Sequence, residues 1–210
     1  TGSLRLDDYI QLSTGHNSFE APAEHEKRLG IKLEYVYDNT FDVSLNIKNG
    51  TRYKFYTEII NSFDFKLIDG FDFNLSKGFT TIVGFDARHY LPVLSRSVLA
   101  LRIAGATSFG SQKMLYYLGG MENWLFPSFN DNVRVPDHSD YAYKVNAFQM
   151  RGFNNNTRNG ATFVVANAEL RIPFMQYLLG KNRGNAFFRN LQLTGFADAG
   201  LAWHGSSPFS

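Results

Sequence analysis

The feature that most restricts this chain is a two-residue alternation of apolar and polar side chains, repeated in segment after segment. Side chains on an extended strand point to opposite faces in turn, so this pattern builds sheets with one apolar and one polar face. The clearest cases lie late in the chain. Across Ala161–Pro173, Thr162, Val164, Ala166, Ala168, Leu170 and Ile172 share one face, while Asn167, Glu169 and Arg171 share the other. Across Leu191–Trp203, Leu191, Leu193, Ala197, Ala199, Leu201 and Trp203 oppose Gln192, Thr194, Phe196, Asp198 and Gly200. Glu169 and Asp198 therefore occupy the polar faces of consecutive strands. Upstream of both stands an arginine followed by a glycine, Arg151-Gly152.

The same alternation marks Ile31–Tyr37, Arg52–Glu58, Thr81–Arg88 and Leu99–Ala104. Asp38-Asn39 and Asn49-Gly50 read as turns, Pro92 as a strand end, Phe71–Leu75 as a further strand and Met114–Leu118 as a shorter apolar run. No segment holds a helical period, so the chain reads as all-β. Residues 1–29 read as loop, including the charged run Glu24–Arg28, with one candidate strand at Leu4, Leu6 and Tyr9. Residues 30–210 read as part of a single β domain interrupted by a long loop at 119–160. Loops of that length tend to be functional or disordered.

Composition removes several function classes. A net charge of +2 gives no electrostatic case for nucleic acid. With no cysteine there are no disulfides, no thiol chemistry and no zinc–thiolate site. The five histidines (His16, His25, His89, His138 and His204) lack metal-ligand spacing, and neither a nucleophile elbow nor a phosphate-binding glycine loop is present. The expectation is a protein that is not an enzyme and carries no cofactor or metal. Phe71, Phe73, Phe79 and Phe85 read as lipid-facing or packing residues rather than a base-stacking platform. The Asn155-Asn156-Thr157 sequon is given no weight.

No apolar run approaches the roughly 18 residues of a transmembrane helix. Barrel strands leave only a weak hydropathy signal, and strands of about 9–12 residues with polar inner faces suit a closed membrane barrel. Closure also removes the unpaired edges that lipid does not tolerate. A soluble β-sandwich binding module is the alternative. Thr1–Leu4 shows no signal-peptide pattern and Gly205–Ser210 reads as a turn, so both ends suggest an excised piece of a longer chain.

An arginine presents a planar donor fork able to meet two carboxylates at once, which lysine does not. Gly152 permits a sharp turn beside it and Phe153 supplies an apolar foot. Met150-Arg151-Gly152-Phe153 resembles the (V/I/L)RG(F/Y) tip of the sixth loop in the BamA/TamA-type outer-membrane assembly superfamily, the bacterial surface antigen family. Phe196–Gly200 resembles that family's (F/G)xDxG strand motif, and Asn167–Pro173 is similar to its Glu-Leu-Arg-x-Pro strand. Leu118-Gly119-Gly120 resembles the Leu-Gly-Gly that precedes the loop tip. The resemblance spans about residues 30–204, and its specific part is 118–200.

The resemblance implies an antiparallel transmembrane β-barrel of roughly sixteen strands, of which this chain holds about seven, with the long loop folded inward. It implies that Arg151 docks on Asp198 and Glu169, that Gly152 and Phe153 shape the tip, and that Gly119, Gly120 and Gly200 are motif glycines. It further implies insertion, assembly or translocation of proteins at the outer membrane of a Gram-negative bacterium. The partners would be outer-membrane lipid, outer-membrane or secreted substrate proteins, and accessory lipoproteins. The intervening segment Met121–Gln149 departs from the usual short spacing and resembles a subset carrying large extra amino-terminal domains. A second reading is therefore a barrel of the same family used as an anchor or exit pore for a fused periplasmic domain.

Overall fold

The computed structural model describes residues 2–11, 24–66, 72–120, 128–130, 132–135, 141–148, 150–180, 185, 187 and 190–205. His16, His138, Phe71, Trp124, Pro127, Pro136 and the segment 206–210 lie outside the described residues. The alternating segments form long strands: β1 (Gly2–Gln11), β2 (Glu24–Asp38), β3 (Phe41–Ser44), β4 (Ile47–Lys66), β5 (Asp72–Leu94) and β6 (Ser97–Gly110). The loop segment carries β7 (Lys113–Leu118), β8 (Tyr141–Phe148) and β9 (Arg158–Gly160). It is followed by β10 (Thr162–Ile172), the single turn and a half of α1 (Phe174–Leu179) and β11 (Leu193–Trp203).

The protein is thus predominantly antiparallel β. One large sheet runs β1-β2-β4-β5-β6-β10-β11, with β3 paired to β4 outside this path. The described sheet is open, with β1 and β11 at its edges. Every neighbour along it is antiparallel. β6 pairs directly with β10, so everything between them leaves the sheet as one excursion. Within that excursion β7, β8 and β9 make a small sheet of their own, in which β7 and β8 run parallel.

The two faces of the large sheet differ sharply. One face carries Leu33, Phe55, Val83 and Ile103, which remain 58%, 56%, 45% and 47% exposed. Tyr35, Tyr37 and Tyr53 join them, with Tyr37 and Tyr53 stacked at 4.8 Å between ring centroids. Soluble monomers rarely leave a contiguous apolar face of this extent open. The opposite face is polar toward the turns and apolar toward the loop. There Ile60, Ile82, Ala104, Ala106, Phe163, Val165 and Ala202 form one buried cluster with Tyr116, Leu118 and Met150 from the excursion. The Tyr116 and Phe163 rings lie 4.8 Å apart. The loop therefore packs onto the inner face, where each large apolar side chain it buries contributes about 1.5–3 kcal/mol.

Four local expectations are corrected, the first at Asp38-Asn39, where the chain does not reverse but runs on from β2 to β3 along β4. Asn49-Gly50 is not the turn: the chain reverses at Leu45-Asn46, with Asn46 at φ 58°, and Gly50 sits within β4. Asparagine tolerates the left-handed region well enough to replace glycine at a tight reversal. Pro92 does not end β5, which runs to Leu94 through a register shift between Pro92 and Leu94. Proline is tolerated at such an irregularity because no ladder N–H is required of it. The charged run Glu24–Arg28 is strand, paired with β1, so that Asp7 faces Arg28 and Asp8 faces Lys27 in register. The pairing that makes it strand is between segments and is invisible within either one.

Candidate functional site

The inner face is assembled by register. β10 places Asn167 opposite Asp198 of β11 on one side and opposite Arg102 of β6 on the other. Glu169, two residues on, shares that face with both. Into this corner the excursion delivers Arg151. Its Nε and Nη2 donate to the two oxygens of Asp198, each at 2.9 Å, and its backbone N–H donates to Asp198 Oδ2 at 3.0 Å. The remaining terminal nitrogen, Nη1, donates to Glu169 Oε2 at 2.5 Å. Beneath the guanidinium lies the Phe196 ring, with Cζ 4.0 Å from its centroid. One planar fork thus meets two carboxylates and an aromatic face, a combination specific to arginine.

The carboxylates are themselves held. Asn167 Nδ2 donates to Asp198 Oδ1 at 2.8 Å, and Arg171 Nε donates to Glu169 Oε1 at 2.6 Å. The Asp198 side chain is only 1% exposed, against 22% for Arg151 and 20% for Glu169. Asp198 is therefore the desolvated partner, and its charge depends on the arginine in front of it.

The loop tip is seated by glycines. Gly119 and Gly120 have φ of 107° and 74°, and a side chain on either would meet Asn154 or Asn155. With no side chain there, Gly120 N–H reaches the Phe153 carbonyl at 2.9 Å and Gly120 bridges Met150. Gly200 lies under Met150: a Cβ there would come within 2.7 Å of its sulfur. Gly152 has φ 85° with open space around it, so its conformation rather than its surroundings favours glycine.

All the sequence-predicted site residues thus converge, with one correction. Phe153 is 44% exposed and is not the apolar foot of the tip. Met150, 4% exposed, is. The signal was its position: Met150 precedes the arginine and alternates with it, so a sharp turn puts the two on different surfaces.

Sequence reasoning also missed a neighbouring cluster. Arg88 and Arg102 face each other directly across β5 and β6. Like charges so placed repel, and Asp86 lies between them. It accepts from Arg88 Nε at 2.9 Å and pairs with the Arg102 guanidinium. A cavity of about 540 Å³ separates this cluster from the Arg151 site, bordered by Arg88, Arg102, Arg151, Glu169 and Arg171. Asp86→Asn should lower unfolding stability by about 2 kcal/mol, the range for a charge-assisted bond lost, as read from a urea titration. An unchanged midpoint would show that water alone screens the two arginines.

Further polar residues fix the excursion. Asn156, fully buried with φ 59°, donates to the carbonyls of Asn130 and Val133, each at 3.1 Å. His204, just beyond β11, bridges Tyr141 at 2.8 Å and Asn159 at 3.1 Å. Burial and the Lys113 charge hold its pKa below the usual histidine value, and the neutral ring suits a site needing one donor and one acceptor. Among the described residues no cluster of His, Cys, Asp or Glu could hold a metal ion. No helix there is long and apolar enough to cross a membrane, which says nothing of strands. No family model, curated protein or solved structure matches the chain.

Proposed function

We propose that this chain forms part of the wall and the inward-folded loop of a BamA/TamA-type outer-membrane β-barrel that takes part in inserting or translocating proteins. The observation that carries the reading is the Arg151 fork on Asp198 and Glu169, the pairing expected from the loop and strand motifs together. The open apolar face supports it, because lipid is the solvent such a face suits and a closed barrel has no unpaired edge.

The mechanism makes and breaks no covalent bond. The docked loop holds the shape of the wall while the seam between the first and last strands of the barrel opens. An incoming strand pairs at that seam and satisfies its backbone N–H and C=O groups before it enters lipid. The buried Asp198 gives the docked state its preference, since undocking leaves a desolvated carboxylate without its cation.

The membrane assignment is tested by Ile103→Arg, on the open face at the middle of β6. In lipid the added charge should destabilise the protein by about 2–4 kcal/mol. In a water-soluble sandwich the same half-exposed position should change stability by no more than about 0.5 kcal/mol. Folding yield into lipid vesicles over a urea series separates the two, and near-neutrality of Ile103→Arg would remove the barrel reading. Substrate assembly by vesicle-reconstituted full-length protein, compared between wild type and Arg151→Ala, then separates a working insertase from a passive anchor.

A further inference from the structure

The hairpin made by β3 and the start of β4 reaches a part of the sheet to which it is not paired. β5 and β6 stand between β4 and β10, yet Arg171 Nη1 donates to the Asn46 carbonyl at 2.8 Å. Gln192 Nε2, just ahead of β11, donates to the Leu45 carbonyl at 2.6 Å. Two side chains from the ends of neighbouring strands thus grip two consecutive carbonyls at the hairpin's turn. Asn46, at φ 58°, is the residue on which the turn reverses. Residues 41–46 are exposed, while Ile47, immediately after the turn, is 4% exposed, so the hairpin is anchored at its turn and not along its length.

Arg171 is also the second cation on Glu169. Its Nε holds Oε1 at 2.6 Å while Arg151 Nη1 holds Oε2 at 2.5 Å. A continuous polar path therefore runs Asp198–Arg151–Glu169–Arg171–Asn46, from the loop tip along the last residues of β10 to the hairpin. A carboxylate gripped on both oxygens has one orientation. Released on one side, it turns about its terminal torsion, which is broad and soft.

We propose that Arg171 is a positioning residue through which the β3–β4 hairpin sets the hold of Glu169 on Arg151, so that displacing the hairpin loosens the loop tip. The inference rests on the lock reading given under Proposed function and adds to it a second input from the turn side. A plainer role, in which Arg171 only neutralises Glu169, predicts no dependence on the hairpin.

The test uses the full-length protein in lipid vesicles. Because this chain has no cysteine, Asn154→Cys beside the loop tip, in a background free of other cysteines, gives a single reporter for a small maleimide. Arg171→Gln should raise the labelling rate roughly five-fold, the size of coupling found within one hydrogen-bonded network. Arg171→Lys should recover part of the loss, since an ammonium meets one partner and not both. Excising residues 41–46 should give the same rise, and combining it with Arg171→Gln should add nothing further. Gln192→Ala, which frees only the Leu45 carbonyl, reads the same coupling without shortening the chain and should move the rate in the same direction. Unchanged labelling in Gln192→Ala, or a combined effect that is simply the sum, overturns the proposal. If Arg151→Ala also leaves labelling unchanged, the lock itself fails. If Arg151→Ala accelerates labelling while the hairpin variants do not, only the coupling fails.

Discussion

Arg151→Ala is expected to lower the unfolding stability of the protein by about 3 kcal/mol, the lower part of the range for breaking a buried ion pair. The upper part is not expected because the Arg151 and Glu169 side chains keep 22% and 20% exposure, and water reaches that half of the site. The loss comes mainly from Asp198, which is 1% exposed and would retain Asn167 Nδ2 as its side-chain donor. Arg151→Lys should recover less than half. An ammonium replaces the charge but not the two parallel bonds to Asp198, and it does not lie flat on Phe196. Asp198→Asn in the Arg151→Ala background should restore much of the stability, because a neutral amide tolerates desolvation that a carboxylate does not. Equal stability of Arg151→Ala and wild type in a urea titration would mean the corner is fully wet and the lock is not energetic.

Gly119→Ala and Gly152→Ala should differ by a wide margin although both residues have positive φ. At Gly152 an added methyl meets nothing within 4 Å, so only the left-handed backbone is penalised, by about 1–2 kcal/mol. At Gly119 the methyl would lie 2.0 Å from the Asn154 carbonyl oxygen, a backbone atom of the loop tip. The tip has to lift or the small loop sheet has to shift, and the total should reach about 3 kcal/mol or more. Gly119→Ala should also speed labelling beside the tip, since it displaces the loop from its seat. If the two variants prove equally mild, the tip does not rest on the Gly119-Gly120 shelf.

Much of this site was legible because its elements are regular. Period-two alternation fixes faces, so Glu169 and Asp198 were already on one side of consecutive strands, and β10 and β11 fall within two residues of the segments read for them. What the sequence hides is register between distant strands. Arg88 and Arg102 each alternate correctly within their own segments, but nothing local says that they face each other or that Asp86 lies between them. The loop was harder for the same reason. The parallel pairing of β7 with β8 joins residues separated by the whole of Met121–Asp140, and no turn signal announces it. Asn49-Gly50 misled because the dipeptide that favours a reversal also suits a bend within a strand, while Leu45-Asn46 made the turn with a less conspicuous residue.

The strands are not of one height. β5 begins at Asp72, whereas its first partner in β6 is Gly110 opposite Thr80, so β5 rises eight residues past β6, from Asp72 through Phe79. At about 3.3 Å per residue that is roughly 25 Å measured along the strand. β1, β2 and β4 climb with it, while β6, β10 and β11 stop low. The rim is a parapet on one flank and a sill on the other, and the Arg151 loop sits behind the sill. Screens for binders to the loop should therefore sample the low flank over β6 and β10 first.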